Sequence, residues 1–357
     1  MNFSRTLMIK PSSMGDIVQA LPVLTALKET HPQARVSWLV ARPFAGLLEG
    51  HPRLAEVILF DRHRFARVGR SLSTTTEFLR LLKGLRQRRF TTVIDLQGLL
   101  RSAVLALASG APTRVGFTAA RELAPIFYTV DVSVPHAEMH AADRYMMVAQ
   151  QVGLRMPMAT DHLPVAPEVR AAVRRRLAEA GLGPRDAFVV ACPDARWETK
   201  QWPPERFAEV LERARRTTGA RAVLVGAPAA AEIGRTVSAA MAEPPIDFIG
   251  ATTLKELVAV IAEARAMLTN DSGPMHVAAA VGTPVVAIFG PTHPRRTGPR
   301  GPGHHVLSGR APCSPCYRRR CPYAGGPQAL SCLTNVRAEE VADHLAEVWR
   351  QVGATSR

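Results

Sequence analysis

The run Ala266-Met267-Leu268-Thr269-Asn270-Asp271-Ser272-Gly273-Pro274-Met275-His276, followed by Val285-Val286-Ala287-Ile288-Phe289-Gly290-Pro291-Thr292, leaves this chain few folds to choose from. Its first apolar stretch ends in polar residues that cannot continue a buried strand. Ser272 suits the cap of a following helix, Gly273 a turn, and Pro274 a first helical position. The second apolar stretch ends in Gly290-Pro291-Thr292. Strand, helix and strand within 27 residues make a βαβ unit. Two adjacent parallel strands then deliver their polar loops to one edge of a sheet, where open α/β folds bind ligands. The free amides at the helix start favour an anion, phosphate above all. The plainer reading is a unit that packs and binds nothing.

The same pattern opens the chain. Thr6-Leu7-Met8-Ile9 reads as a strand, Pro11-Ser12-Ser13-Met14-Gly15-Asp16 as its turn, and Ile17, Leu21, Leu24 and Leu27 as a helix that Pro22 should bend. The turn is neither a dinucleotide fingerprint nor a P-loop. It carries one carboxylate, Asp16, in the first helical turn, where the helix dipole keeps it ionised. An ionised, sheltered carboxylate at a ligand edge is a candidate general base, although a simple helix-start aspartate has the same pattern. Strands follow at Val36–Val40, Val57–Phe60 and Val93–Gly98, and Phe78, Leu79, Leu81, Leu82 and Leu85 form the apolar side of an amphipathic helix. Residues 156–168, with three prolines, read as a linker. The alternation then restarts at Phe188–Ala191 and continues through Ala222–Gly226 and Ile246–Gly250. Two doubly wound α/β domains, each with polar loops at its strand ends, imply a cleft between them.

No run of about 18 apolar residues spans a membrane, and Met1 to Lys10 lacks a signal peptide's apolar core, so a cytoplasmic protein is expected. The net charge of +15 is local. Residues 62–89 hold nine basic side chains against Glu77 alone, and residues 295–320 hold seven arginines and no acid. Such patches suit an anionic partner or simply a solvated surface. Nucleic acid is disfavoured, because stacking needs interleaved aromatic rings and residues 62–89 offer only Phe65 and Phe78.

Pro11-Ser12-Ser13-Met14-Gly15-Asp16, Asp95-Leu96-Gln97-Gly98, Arg196-Trp197-x-x-Lys200-x-Trp202-Pro203, Asn270-Asp271-Ser272-Gly273-x-x-His276 and Phe289-Gly290-Pro291-Thr292 occur in that order along nearly the whole chain. Together they resemble the ADP-heptose:lipopolysaccharide heptosyltransferases of glycosyltransferase family 9. The stretch from Thr118 to Tyr128 looks most like the first heptosyltransferase of the inner core. The resemblance implies a GT-B fold of two Rossmann-like domains facing a cleft. Residues 1–160 would bind acceptor and 161–335 the nucleotide sugar, with a C-terminal helix in 336–357 that packs back on either domain. It implies metal-independent, inverting transfer of heptose from an ADP-sugar to a Kdo residue of lipid A. A family member using another sugar, or a silent nucleotide-sugar binder, is the alternative; Asp16 and Lys200 argue against the silent version.

By the same resemblance Asp16 would be the base and Lys200 would hold the donor diphosphate. Asp271, Ser272, Gly273 and His276 would line the donor, and Glu232 would reach the donor ribose, although Ala229, Ala230 and Ala231 separate it from Gly226-Ala227-Pro228. Ser13, Arg62, Arg64 and Arg121 would hold the acceptor's phosphates and carboxylates. The first basic patch would also touch the anionic inner leaflet of the inner membrane.

Four of the five cysteines cluster as Cys313-x2-Cys316-x4-Cys321-x10-Cys332. Structural zinc, free thiols, a disulfide pair and an iron–sulfur cluster all remain open for this spacing. Cys192, at a strand end, reads as a small buried side chain.

Overall fold

Because strands buried on both faces need near-continuous apolar runs, the alternation seen along the chain builds parallel sheets. The computed structural model describes residues 1–135, 138–157, 163–184 and 186–355. They divide into two units, Met1–Pro164 and Val165–Arg357, each built on a six-stranded parallel sheet. The first sheet contains β1 (Arg5–Ile9), β2 (Arg35–Ala41), β3 (Glu56–Phe60), β4 (Thr92–Asp95), β5 (Thr113–Phe117) and β6 (Val130–Val132). Their order is β3-β2-β1-β4-β5-β6. The second contains β7 (Phe188–Cys192), β8 (Arg221–Leu224), β9 (Ile246–Asp247), β10 (Ala266–Asn270), β11 (Val285–Phe289) and β12 (His305–Ser308). Their order is β12-β11-β10-β7-β8-β9, the same doubly wound topology. The strand order reverses direction between β1 and β4 in one unit and between β7 and β10 in the other. Crevices at such points take the loops that leave the two central strands.

The strand centres are fully buried: Leu7, Met8 and Ile9 in β1, and Met267 and Leu268 in β10. The opening helix, Met14–Thr30, is continuous through Pro22. The helix Leu72–Gln87 turns Phe78, Leu81, Leu82 and Leu85 to the first core. Leu79, expected on that apolar side, is 56% exposed, because it lies off the stripe that recurs every three to four residues. The expected linker ends sooner than its prolines suggest. Pro167 starts the helix Pro167–Glu179, where a first-turn proline sacrifices no hydrogen bond. Residues 158–162 of that linker lie outside the described residues. The strand expected over Ile246–Gly250 stops at Asp247, whose carboxylate accepts from Ile249 N at 2.9 Å and turns the chain.

Two edge strands, β6 and β12, escaped sequence reading because they are short and carry too few apolar residues for a period to show. The last helix, Ala338–Thr355, packs on the helix Pro204–Thr218 and against β10 and β11. It sends Val341, Leu345, Val348 and Trp349 into the second core. Among the described residues no helix is long and apolar enough to cross a membrane.

Candidate active site

In the first unit the crevice is built by the ends of β1 and β4. Asp16 is the third residue of the helix Met14–Thr30 and closes a capping box with Ser13. Its Oδ2 accepts from Ser13 N at 3.1 Å and from Ser13 Oγ at 2.7 Å. Its Oδ1 accepts from the Tyr145 hydroxyl at 2.9 Å and lies 3.9 Å from Lys10 Nζ. Burial pulls the Asp16 carboxyl upward, but Lys10, the two Ser13 bonds and Tyr145 outweigh it and hold it below the usual carboxylate range. The carboxylate is therefore ionised at neutral pH, and with 38% of its side chain exposed it remains open to solvent. Ser13, expected to hold the acceptor, spends its hydroxyl on Asp16.

Lys10 was not foreseen as part of this site, although a lysine ending an apolar strand is a signal in itself. It is buried, donates to Leu96 O at 3.2 Å and lies 5.0 Å from the Tyr145 ring centroid. Burial lowers its pKa, opposed by the charges of Asp16 and Asp95. Asp95, fully buried at the end of β4, accepts from Gln97 N, Gly98 N and the Tyr128 hydroxyl, the last at 2.7 Å. Burial raises its pKa against those donors. Its work is to shape the Gln97-Gly98 turn, where Gly98 adopts φ +65°. Gly98 O in turn accepts from Arg121 N at 3.0 Å, which fixes the backbone of an otherwise exposed arginine. Arg62 and Arg64 sit on the short helix Arg62–Phe65, both exposed, and Arg64 pairs with Glu77 at 2.5 Å.

In the second unit the ends of β7, β10 and β11 converge. Asn270 is fully buried and staples the end of β10 to the loop after β7: its Nδ2 donates to Pro193 O at 2.7 Å and its Oδ1 accepts from Trp202 N at 3.1 Å. That staple sets the turn holding Lys200, whose Nζ lies 2.5 Å from Asp271 Oδ2 and 4.8 Å from the Trp197 ring centroid. Thr292 Oγ1 donates to the same Asp271 oxygen at 2.5 Å. An ammonium carries three donors, so the ion pair leaves capacity for an oxyanion. Asp271, expected beside the sugar, is 95% shielded and acts here as the anchor of Lys200. Thr292, which in the sequence marks only the end of a strand motif, joins this set.

Ser272 occupies the N-cap of the helix Gly273–Val281, but its hydroxyl pairs with Thr269 Oγ1 at 3.2 Å. The first amides of that helix have no side-chain cap. His276 is buried one turn further on. Glu232 stands apart, 77% exposed and paired with Arg235.

The arginine- and cysteine-rich segment lies against the Lys200 turn. Ser314 Oγ donates to Gly290 O at 2.7 Å, Thr199 Oγ1 to Arg318 O at 2.8 Å, and Arg319 stacks 5.3 Å from the Trp197 ring centroid. Gly290 permits that approach, since a Cβ there would meet Leu333 at 2.8 Å and Thr199 O at 3.1 Å. All five cysteines are unpaired thiols. Burial and the proximity of Cys313, Cys316 and Cys321 push the Cys332 thiol up to about 11. Cys192 is buried, as expected, and its thiol is pushed up to about 12 by burial.

The chain as a whole is similar to known proteins. Residues 78–325 match the family model described as glycosyltransferase family 9 (heptosyltransferase). Lipopolysaccharide heptosyltransferase 1 of Pseudomonas aeruginosa is 31% identical over 323 residues, covering 89% of this chain and 88% of the relative. The Escherichia coli K12 protein of the same name is 28% identical over 315 residues, covering 86% and 94%. Among solved structures, the E. coli heptosyltransferase WaaC with ADP superposes with a TM-score of 0.74 at 25% identity, over 96% of this chain and 99% of that one. A family 9 glycosyltransferase from Veillonella parvula reaches 0.82 at 24% identity, over 98% of each chain, and shares the fold. With the family model covering more than half its length, the chain belongs to glycosyltransferase family 9 and is a glycosyltransferase.

Proposed function

We propose that this enzyme transfers heptose from ADP-heptose to a Kdo residue of the lipopolysaccharide inner core, with inversion and without a catalytic metal. The names of its relatives support the heptose and the lipopolysaccharide, and the ADP bound to WaaC supports the nucleotide. The observation that carries the chemistry is Asp16, an ionised, solvent-open carboxylate fixed by Ser13, Tyr145 and Lys10 at a topological switch point. In this reading it takes the proton of the acceptor hydroxyl as that oxygen bonds to the anomeric carbon. The bond from that carbon to the ADP oxygen breaks on the opposite face. Lys200 and the uncapped amides of the helix Gly273–Val281 stabilise the charge gathering on the departing diphosphate. Arg62 and Arg121 are exposed and suit the anionic acceptor, while Arg64 must exchange its Glu77 partner to do so.

The donor assignment is tested by a thermal-shift panel of ADP-, UDP-, GDP- and CDP-sugars. ADP-heptose should give the largest rise in Tm. Stabilisation by a non-ADP nucleotide alone overturns the assignment.

The outward side of the helix Leu72–Gln87 carries Leu72, Leu79, Arg80, Lys83 and Arg86, all exposed. Apolar and basic groups on one exposed side suit the surface of an anionic bilayer, where the lipid acceptor lies. We expect the enzyme to co-sediment with phosphatidylglycerol vesicles and a Leu79→Glu/Lys83→Glu variant to stay in the supernatant. Equal sedimentation of the two would remove this helix from the membrane contact.

A further inference from the structure

Outside the candidate active site, one cluster among the described residues brings together ligand atoms from distant parts of the sequence. His305 opens the edge strand β12, and His344 and Glu347 lie three residues apart on one face of the helix Ala338–Thr355. The two histidine Nδ1 atoms are 2.9 Å apart, and Glu347 Oε2 lies 4.0 Å from the Nδ1 of His305 and 3.7 Å from that of His344. A circle through three points with those separations has a radius of about 2.1 Å, which is the usual distance from a divalent transition metal to imidazole nitrogen or carboxylate oxygen. One ion at its centre would therefore lie at bonding distance from all three atoms.

We propose that His305, His344 and Glu347 bind a divalent transition-metal ion that clamps the last helix to the edge of the second sheet. At the centre of that circle the two nitrogens subtend about 90°, and the three ligands spread in one plane, leaving both faces for water. The oxygen subtends about 125° with the His344 nitrogen and about 147° with that of His305, a planar set that suits ions with tolerant coordination shells, such as Ni2+, Cu2+ and Co2+. Tetrahedral zinc would need the nitrogens opened to roughly 3.4 Å. The side chains are 21%, 36% and 45% exposed for His305, His344 and Glu347, so an ion can enter and keep water ligands. Gln351 Nε2 donates to Glu347 Oε1 at 3.2 Å and thereby holds the other oxygen toward the histidines. His304, next along the chain, takes no part, since its Nδ1 accepts from Val285 N and its Nε2 meets Arg300 O. Without an ion, the two Nδ1 atoms must share a proton to lie so close; a metal ion replaces that proton.

The full-length protein, treated with chelator and then dialysed, is titrated with Ni2+ by calorimetry and by thermal unfolding, and the loaded protein is examined by X-ray absorption at the nickel edge. One equivalent should bind in the micromolar range through a nitrogen and oxygen shell. Tm should rise by roughly 5 °C or more when the ion exceeds its Kd about 100-fold. His344→Ala and, separately, His305→Gln should each weaken binding at least tenfold and remove the rise in Tm. If one variant fails to fold, the other carries the test. No binding, unchanged affinity in the variants, or a sulfur shell that places the ion at the cysteines would each overturn the site.

Discussion

Replacing Asp16 by asparagine should lower transfer by roughly 100- to 10,000-fold, the range that positioned proton transfer supplies. Stabilisation by ADP-heptose should be nearly unchanged, because Asp16 belongs to the unit that does not hold the donor in this proposal. An asparagine fits the same space and keeps an acceptor for Ser13, so folding should survive. The informative companion is Tyr145→Phe. Tyr145 donates to the ionised Asp16 at 2.9 Å and helps to hold its pKa below the ordinary value. The base acts only when deprotonated, so activity falls as pH drops through that pKa. Losing the tyrosine donor raises the pKa and moves the acid fall of the pH–rate profile to higher pH. Full turnover in Asp16→Asn would sink the base assignment, and an unmoved acid limb in Tyr145→Phe would sink the tuning.

Lys200→Met should weaken ADP-heptose binding by roughly 10- to 100-fold, since hydrogen bonds to charged groups contribute about 1.5–3 kcal/mol. It should also destabilise the unit. Removing one partner of a buried ion pair costs roughly 3–5 kcal/mol, less here because the lysine side chain keeps 16% of its surface in solvent and Thr292 still donates to Asp271. Adding Asp271→Asn to Lys200→Met removes the stranded carboxylate. The double variant should regain most of the lost Tm while its donor affinity stays low. Calorimetry and thermal unfolding separate the two effects, and wild-type donor affinity in Lys200→Met would end the diphosphate role.

How much of this could be read from the chain depends on the range of each interaction. The βαβ unit of residues 266–292 was legible because its strand, turn and helix are encoded by neighbours in sequence. Asp16 was legible for the same reason: a carboxylate in the first turn after a strand has a local meaning. Its partner Tyr145 was not, being 129 residues away on a helix whose pattern announces only its apolar face. Ser272 marks the limit from the other side. Its position at the N-cap was predictable, yet its hydroxyl prefers Thr269 once the crevice is packed.

By itself the sequence determined two doubly wound units and sent Asp16, Lys200 and Asn270 to Thr292 to the carboxyl ends of parallel strands. Periodicity and turn residues act over a few positions, and parallel connection then leaves little freedom. Only the tertiary structure decided the pairings. Lys200 and Asp271, 71 residues apart, neutralise each other because sheet order brings β7 and β10 together. Asp95 is closed off from solvent with its oxygens spent on Gln97 N, Gly98 N and the Tyr128 hydroxyl, while Asp16, ringed by donors, stays ionised and open to solvent. His305 meets His344 and Glu347 because the last helix packs beside the sheet that β12 closes. Which charge faces which is set by packing, and packing is a property of the whole unit rather than of any stretch of it.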